Sequence, residues 1–122
     1  MKQKLIIILV LLSTSLIGQT TYTGSAFTVA ADNVTTSTLN IPDSGNITDV
    51  NITVSGSEAC GLEYLDMTLQ SPYGTIVELT NINTMSGSAF SQTTFDDEAS
   101  TTIENGSAPY VGSYQPVGPL AS

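Results

Sequence analysis

Between residues 62 and 81 the chain reads LEYLDMTLQSPYGTIVELTN. Leu65, Met67 and Leu69 alternate with Tyr64, Asp66, Thr68 and Gln70. That is the period-two pattern of a strand with one apolar face, and it predicts a strand over 62–70. Ser71-Pro72-Tyr73-Gly74 follows at once. Pro favours the second position of a β-turn and Gly the fourth, so the chain reverses here. Thr75 to Asn81 returns with Val77 and Leu79 on the inner face. The unit reads as an antiparallel hairpin, 62–70 paired with 75–81.

Upstream, Ile47 to Ser55 predicts another half-buried strand, with Val50, Ile52 and Val54 on one face. Ser25 to Ala30 predicts a first strand, with Phe27 and Val29 inward. Downstream lie a polar loop over 83–91, a strand over 90–95, and a tail from Gly106 to Pro119 carrying Pro109, Pro116 and Pro119. Such a tail wraps a sheet rather than joining its centre. No segment shows a 3.6-residue apolar period. Many short strands with frequent turns predict an all-β fold, an antiparallel β-sandwich or jelly roll.

The first residues read differently. Lys2 and Lys4 precede the unbroken apolar run Leu5 to Leu12, and Ser13, Thr14, Ser15 and Gly18 supply small residues after it. This order predicts a secretory signal peptide over 1–18, forming a helix. The run is short for a spanning helix, which needs about 20 apolar residues. Residues 19–38 are then a lead-in, and the protein is expected to be secreted or held at the cell surface.

Lys2 and Lys4 are the only basic side chains against eleven carboxylates, and there is no His. Once the signal is removed, no Lys, Arg or His is left. Such a surface repels phosphate backbones and lacks the basic face that attracts anionic lipids, so neither nucleic acid nor membrane is an expected partner. It attracts cations. The same absence removes the general base from Ser-His-Asp and Cys-His arrangements, the amine from a Ser-Lys dyad, and the imidazoles of zinc sites. The expectation is a non-enzyme. The lone Cys60 is expected to be a small buried apolar side chain. Asn33, Asn46, Asn51 and Asn105 each begin an Asn-x-Ser/Thr sequon.

Asp96-Asp97-Glu98 follows Phe95 at an expected strand end. Three adjacent carboxylates repel unless solvent or a cation screens them. Calcium takes six to eight oxygens in flexible geometry, so Asp96, Asp97 and Glu98 are candidate Ca²⁺ ligands. Asp66 and the loop 83–91 are candidate additions. The alternative is a solvated acidic loop.

Several segments resemble a known family. Leu65-Asp66-Met67-Thr68-Leu69-Gln70-Ser71-Pro72-Tyr73-Gly74-Thr75 resembles the hairpin of the P domain, or P/Homo B domain, of subtilisin/kexin-like proprotein convertases and related secreted serine proteases. Thr94-Phe95-Asp96-Asp97-Glu98-Ala99 resembles that family's F-D-D-E-A segment. Gly106-Ser107-Ala108-Pro109-Tyr110 and Gly112-Ser113-Tyr114-Gln115-Pro116-Val117-Gly118-Pro119-Leu120 resemble its G-x-Y-x-P-x-G-P-L segment, and Ile41-Pro42-Asp43 its usual entry. The segments keep the family's order over residues 39–122. The resemblance implies a β-sandwich over that range with its last strands missing, since P domains continue past G-P-L into closing strands. It implies an accessory domain that braces or docks a subtilisin-like catalytic domain, in a family associated with serine-type endopeptidase activity and proteolysis. The alternative role is a free-standing secreted adhesion or ligand-binding module within a larger protein.

Overall fold

The structure is a computed structural model that describes residues 19–120. The expected signal segment 1–18 and its helix lie outside the described residues. The chain divides into two units between Ser44 and Gly45.

The first unit contains no strand among its described residues. The strand expected over Ser25 to Ala30 is absent, and Phe27 and Val29 stay 59% and 42% exposed. Alternation marks a strand only where a partner strand accepts its ladder and a core its apolar face, and one segment alone has neither. What forms instead is local. Asn33 N donates to Ala30 O at 3.3 Å, and Asp32 takes a left-handed φ of 55°. A hydrogen bond to Asp43 holds the Tyr22 hydroxyl above its ordinary pKa.

The second unit is a small all-β fold. Its strands are β1 (Ile52–Ser57), β2 (Met67–Gln70), β3 (Ile76–Thr80), β4 (Ala89–Phe95) and β5 (Gly112–Tyr114). Single 3-10 turns occupy Leu62–Tyr64 and Ile103–Asn105. One sheet has the order β1-β4-β5, antiparallel then parallel, and β2-β3 form a second antiparallel sheet. The chain thus leaves the first sheet after β1, makes the hairpin, and returns to pair β4 with β1.

The expected hairpin forms, with Leu69 opposite Val77 and Gln70 opposite Ile76. Gly74 N donates to Ser71 O at 3.0 Å, Ser71 N to Thr75 O at 2.8 Å, and Gly74 sits at φ +90°, which favours glycine. Its first strand is shorter than expected. Gly61 at φ +111° breaks the extended run, and Leu62 N donates to Gly87 O at 2.7 Å. Leu62 is thereby buried in a 3-10 turn, and the ladder starts only at Met67. Cys60 is exposed, against the expected buried side chain. It lies in the turn that Gly61 N closes on Glu58 O at 3.3 Å.

The strand expected from Ile47 begins only at Ile52, since residues 47–51 form no strand and Ile47 is exposed. Within β1, Ile52 and Val54 are half-buried while Thr53 and Ser55 are exposed, as the alternation predicts. The β1–β4 register shifts between Val54, opposite Thr93, and Gly56, opposite Phe90. The extra residue is on β4. Gln92 absorbs it at φ +49° and its N–H donates to Ser55 Oγ at 2.7 Å. A Cβ on Gly56 would come within 2.8 Å of Phe90 Cζ, so this position has room only for hydrogen.

The core consists of Leu62, Leu79, Met85, Phe90, Phe95, Ile103 and Tyr110, with Ile52, Val54, Leu65, Met67, Tyr114, Val117 and Leu120 against it. It draws on both sheets and both 3-10 turns. Each fully buried large apolar side chain contributes about 1.5–3 kcal/mol. Thr80 is fully buried at the β2–β3 register shift, where its hydroxyl donates to Leu65 O (3.3 Å) and accepts from Met67 N (3.2 Å). No buried side-chain polar atom among the described residues lacks a partner.

Candidate functional site

The acidic segment begins where β4 ends at Phe95. Asp96 N donates to Tyr114 O at 3.0 Å, tying the segment to β5. Asp96 Oδ1 accepts from Glu98 N at 2.8 Å, and Ala99 N donates to Asp96 O at 3.1 Å. These bonds fold the segment into a tight turn that brings the Asp96 and Glu98 side chains together.

Asp97 points elsewhere. Its Oδ1 accepts from Leu120 N at 2.9 Å, and its backbone carbonyl accepts from Gln115 Nε2 at 3.3 Å. The side chain is half-buried and holds the end of the described chain. That end also lies along β3, where Val117 N donates to Leu79 O (3.2 Å) and Gly118 N to Glu78 O (2.8 Å). Residues 114–120 therefore run from the first sheet to the second, and Asp97 fixes them at one point of that path. Asp97, Gln115, Pro116, Val117 and Pro119 line an open depression of about 310 Å³.

Asp66 precedes β2, in the other sheet, and is exposed. The structure brings Asp96 and Glu98 together, turns Asp97 toward the tail, and adds a residue the sequence did not indicate. That residue is Asp49. Ile52 pairs with Phe95 at the end of the ladder, and Asp49, three residues before β1, lies near enough for its charge to act on Glu98. Among the described residues, no three Asp, Glu or Cys side chains group closely enough to hold a metal ion.

Glu98 feels this crowding. A hydrogen bond with Asp96 raises its pKa above 4.5, offset in part by a backbone hydrogen bond at Glu98 itself. Desolvation and the charges of Asp49 and Asp96 raise it further. A carboxyl with a native pKa above its unfolded value binds more protons when folded. Its contribution to stability is present below the ordinary carboxylate range and is lost as pH rises through the raised native value. Replacing Glu98 with Gln is expected to flatten the dependence of Tm on pH from about 4.5 upward. A thermal unfolding series with the same slope in wild type and variant would contradict this proximity.

The Gly106–Tyr110 segment is built into the same scaffold. Tyr110 is 1% exposed. Its hydroxyl accepts from Ser86 N (2.8 Å), its carbonyl accepts from the buried Thr93 hydroxyl (2.8 Å), and its ring meets Tyr114 edge-on at 6.0 Å. Gly106 passes beneath both rings, where a Cβ would lie 2.8 Å from each. Chemically, these residues anchor chain segments to one another. Compared with known proteins, the chain matches no family model, no curated protein and no solved structure.

Proposed function

We propose that the chain is a non-catalytic accessory module of an exported protein, a β-sandwich of the P-domain type that braces or docks a subtilisin-like serine protease domain. One observation supports this most. The residues that resemble the P domain share a single mechanical task in this structure. The Ser71–Thr75 turn closes the hairpin, Asp97 ties down Leu120, Tyr110 joins Thr93 to Ser86, and Val117 and Gly118 bond to β3. A bracing domain needs that rigidity, with its surface left to a partner. Two sheets around one core support the sandwich reading. Composition supports the non-catalytic one, since residues 19–122 offer no imidazole or amine side chain. Cation attraction belongs to the proposal as well: residues 19–122 carry eleven carboxylates and no basic side chain, the Asp96 and Glu98 pair is the focus, and calcium is the ion whose oxygen preference fits.

The test joins a subtilisin-like catalytic domain ahead of residues 19–122 and follows its thermal unfolding. The joined form is expected to unfold at a higher temperature than the catalytic domain alone, and the chain by itself to show no peptidase activity. Equal temperatures leave the adhesion or ligand-binding module as the better account. For calcium, a ligand bound only to the folded chain raises its Tm. The rise expected in millimolar Ca²⁺ over chelator disappears in an Asp96→Asn/Glu98→Gln double variant, and no rise in wild type removes calcium from the proposal.

A further inference from the structure

Seven asparagines occur in the chain, and six of them precede Ile, Val or Thr. A β-branched side chain crowds the backbone nitrogen that it follows. Asn105 alone precedes glycine, so only there is the following nitrogen unshielded. Asn105 is also exposed, at the end of the Ile103–Asn105 turn. Two hydrogen bonds hold the reacting groups apart from each other. Asn105 Nδ2 donates to Thr102 Oγ1 at 2.8 Å, and Gly106 N donates to Ile103 O at 3.1 Å.

We propose that Asn105–Gly106 is a site of spontaneous deamidation, restrained by the Thr102 hydroxyl. When the turn opens, the Gly106 amide gives its proton to solvent base and its nitrogen attacks Asn105 Cγ. The new N–Cγ bond closes a five-membered imide, and Nδ2 leaves as ammonia after taking up a proton. Water then adds to one imide carbonyl and breaks one of its C–N bonds. Opening on one side gives aspartate. Opening on the other gives isoaspartate, in which the former side-chain carbon has entered the backbone. Both products add a carboxylate to a chain of net charge −9. The second also lengthens the backbone just before Gly106, where the two tyrosine rings leave room for no Cβ. Isoaspartate therefore loosens the anchor that Gly106 provides beneath Tyr110 and Tyr114.

Peptide mapping by mass after incubation at mildly alkaline pH tests this. The Asn105 peptide is expected to convert ahead of the other six, several-fold faster in urea than in the native chain. Native Thr102→Val is expected to convert several-fold faster than native wild type, and Thr102→Ser, which keeps the hydroxyl, at the wild-type rate. Converted native protein unfolds at a lower temperature than unconverted protein. Conversion at Asn105 no faster than at the other six in urea would overturn the site. Equal rates in native wild type and Thr102→Val, or in native and urea-treated wild type, would overturn the restraint.

Discussion

Replacing Tyr110 with alanine lowers the unfolding free energy by about 3–5 kcal/mol, the usual cost of deleting a fully buried aromatic side chain. Tyr110 is 1% exposed, and its ring covers Gly106 and meets Tyr114 edge-on. The substitution opens a cavity where segments 84–86, 93–95 and 103–114 converge. A domain of this size holds about 5–15 kcal/mol in total, so the variant keeps only part of its margin. Tyr110→Phe separates packing from hydrogen bonding. The ring remains, but the exposed Ser86 loses the acceptor of its N–H, and a hydrogen bond of this kind contributes about 0.5–1.5 kcal/mol. Urea unfolding of the three proteins gives both numbers. A Phe variant as stable as wild type would mean that water serves Ser86 N equally well, and an Ala variant as stable would mean that Tyr110 is not in the core.

Asp97→Ala is the second large effect. It removes the carboxylate that accepts from Leu120 N, and a hydrogen bond to a charged group contributes about 1.5–3 kcal/mol. The loss is local in origin and global in reach, because residues 114–120 also bond to β3 and supply Val117 and Leu120 to the core. Asp97→Asn keeps an acceptor oxygen and is expected to lose less. Denaturant unfolding ranks the variants: wild type above Asn, and Asn above Ala. If Asp97 acted chiefly as a cation ligand, the Asn and Ala variants would be equally affected and only where calcium is present.

The parts of this fold legible in the sequence are those with a local periodic cause. Alternation at Ile52 and Val54 marks β1, though the same pattern reaching back to Val50 overshoots its start, and Ser71-Pro72-Tyr73-Gly74 marks the hairpin through turn chemistry alone. Leu62 misled because its apolar character fits the alternation, while the positive φ of Gly61 starts a 3-10 turn there. Ser25 to Ala30 misled because alternation says nothing about the presence of a partner strand. Met85, Ile103 and Tyr110 belong to the core yet stand in polar or irregular segments, where burial is set by distant contacts and leaves no period to read.

The candidate site divides the same way. Asp96, Asp97 and Glu98 are visible as neighbours in the chain. Their separation into a pair and a clamp depends on the turn that Asp96 closes and on the path of residues 114–120. Asp49 is invisible until β1 and β4 are in register. Asp66 shares charge with the segment but stands just before β2 of the other sheet.

Residues 114–120 bind the two sheets together through Asp97, and amide hydrogen exchange tests that most directly. In wild type, the Val117, Gly118 and Leu120 amides should be protected well above those of the exposed Ser55–Ser57 edge, and Asp97→Ala should strip protection from Leu120 first while Thr94 in β4 stays slow. Fast exchange at all three tail amides in wild type, or an unchanged Leu120 in Asp97→Ala, would contradict it.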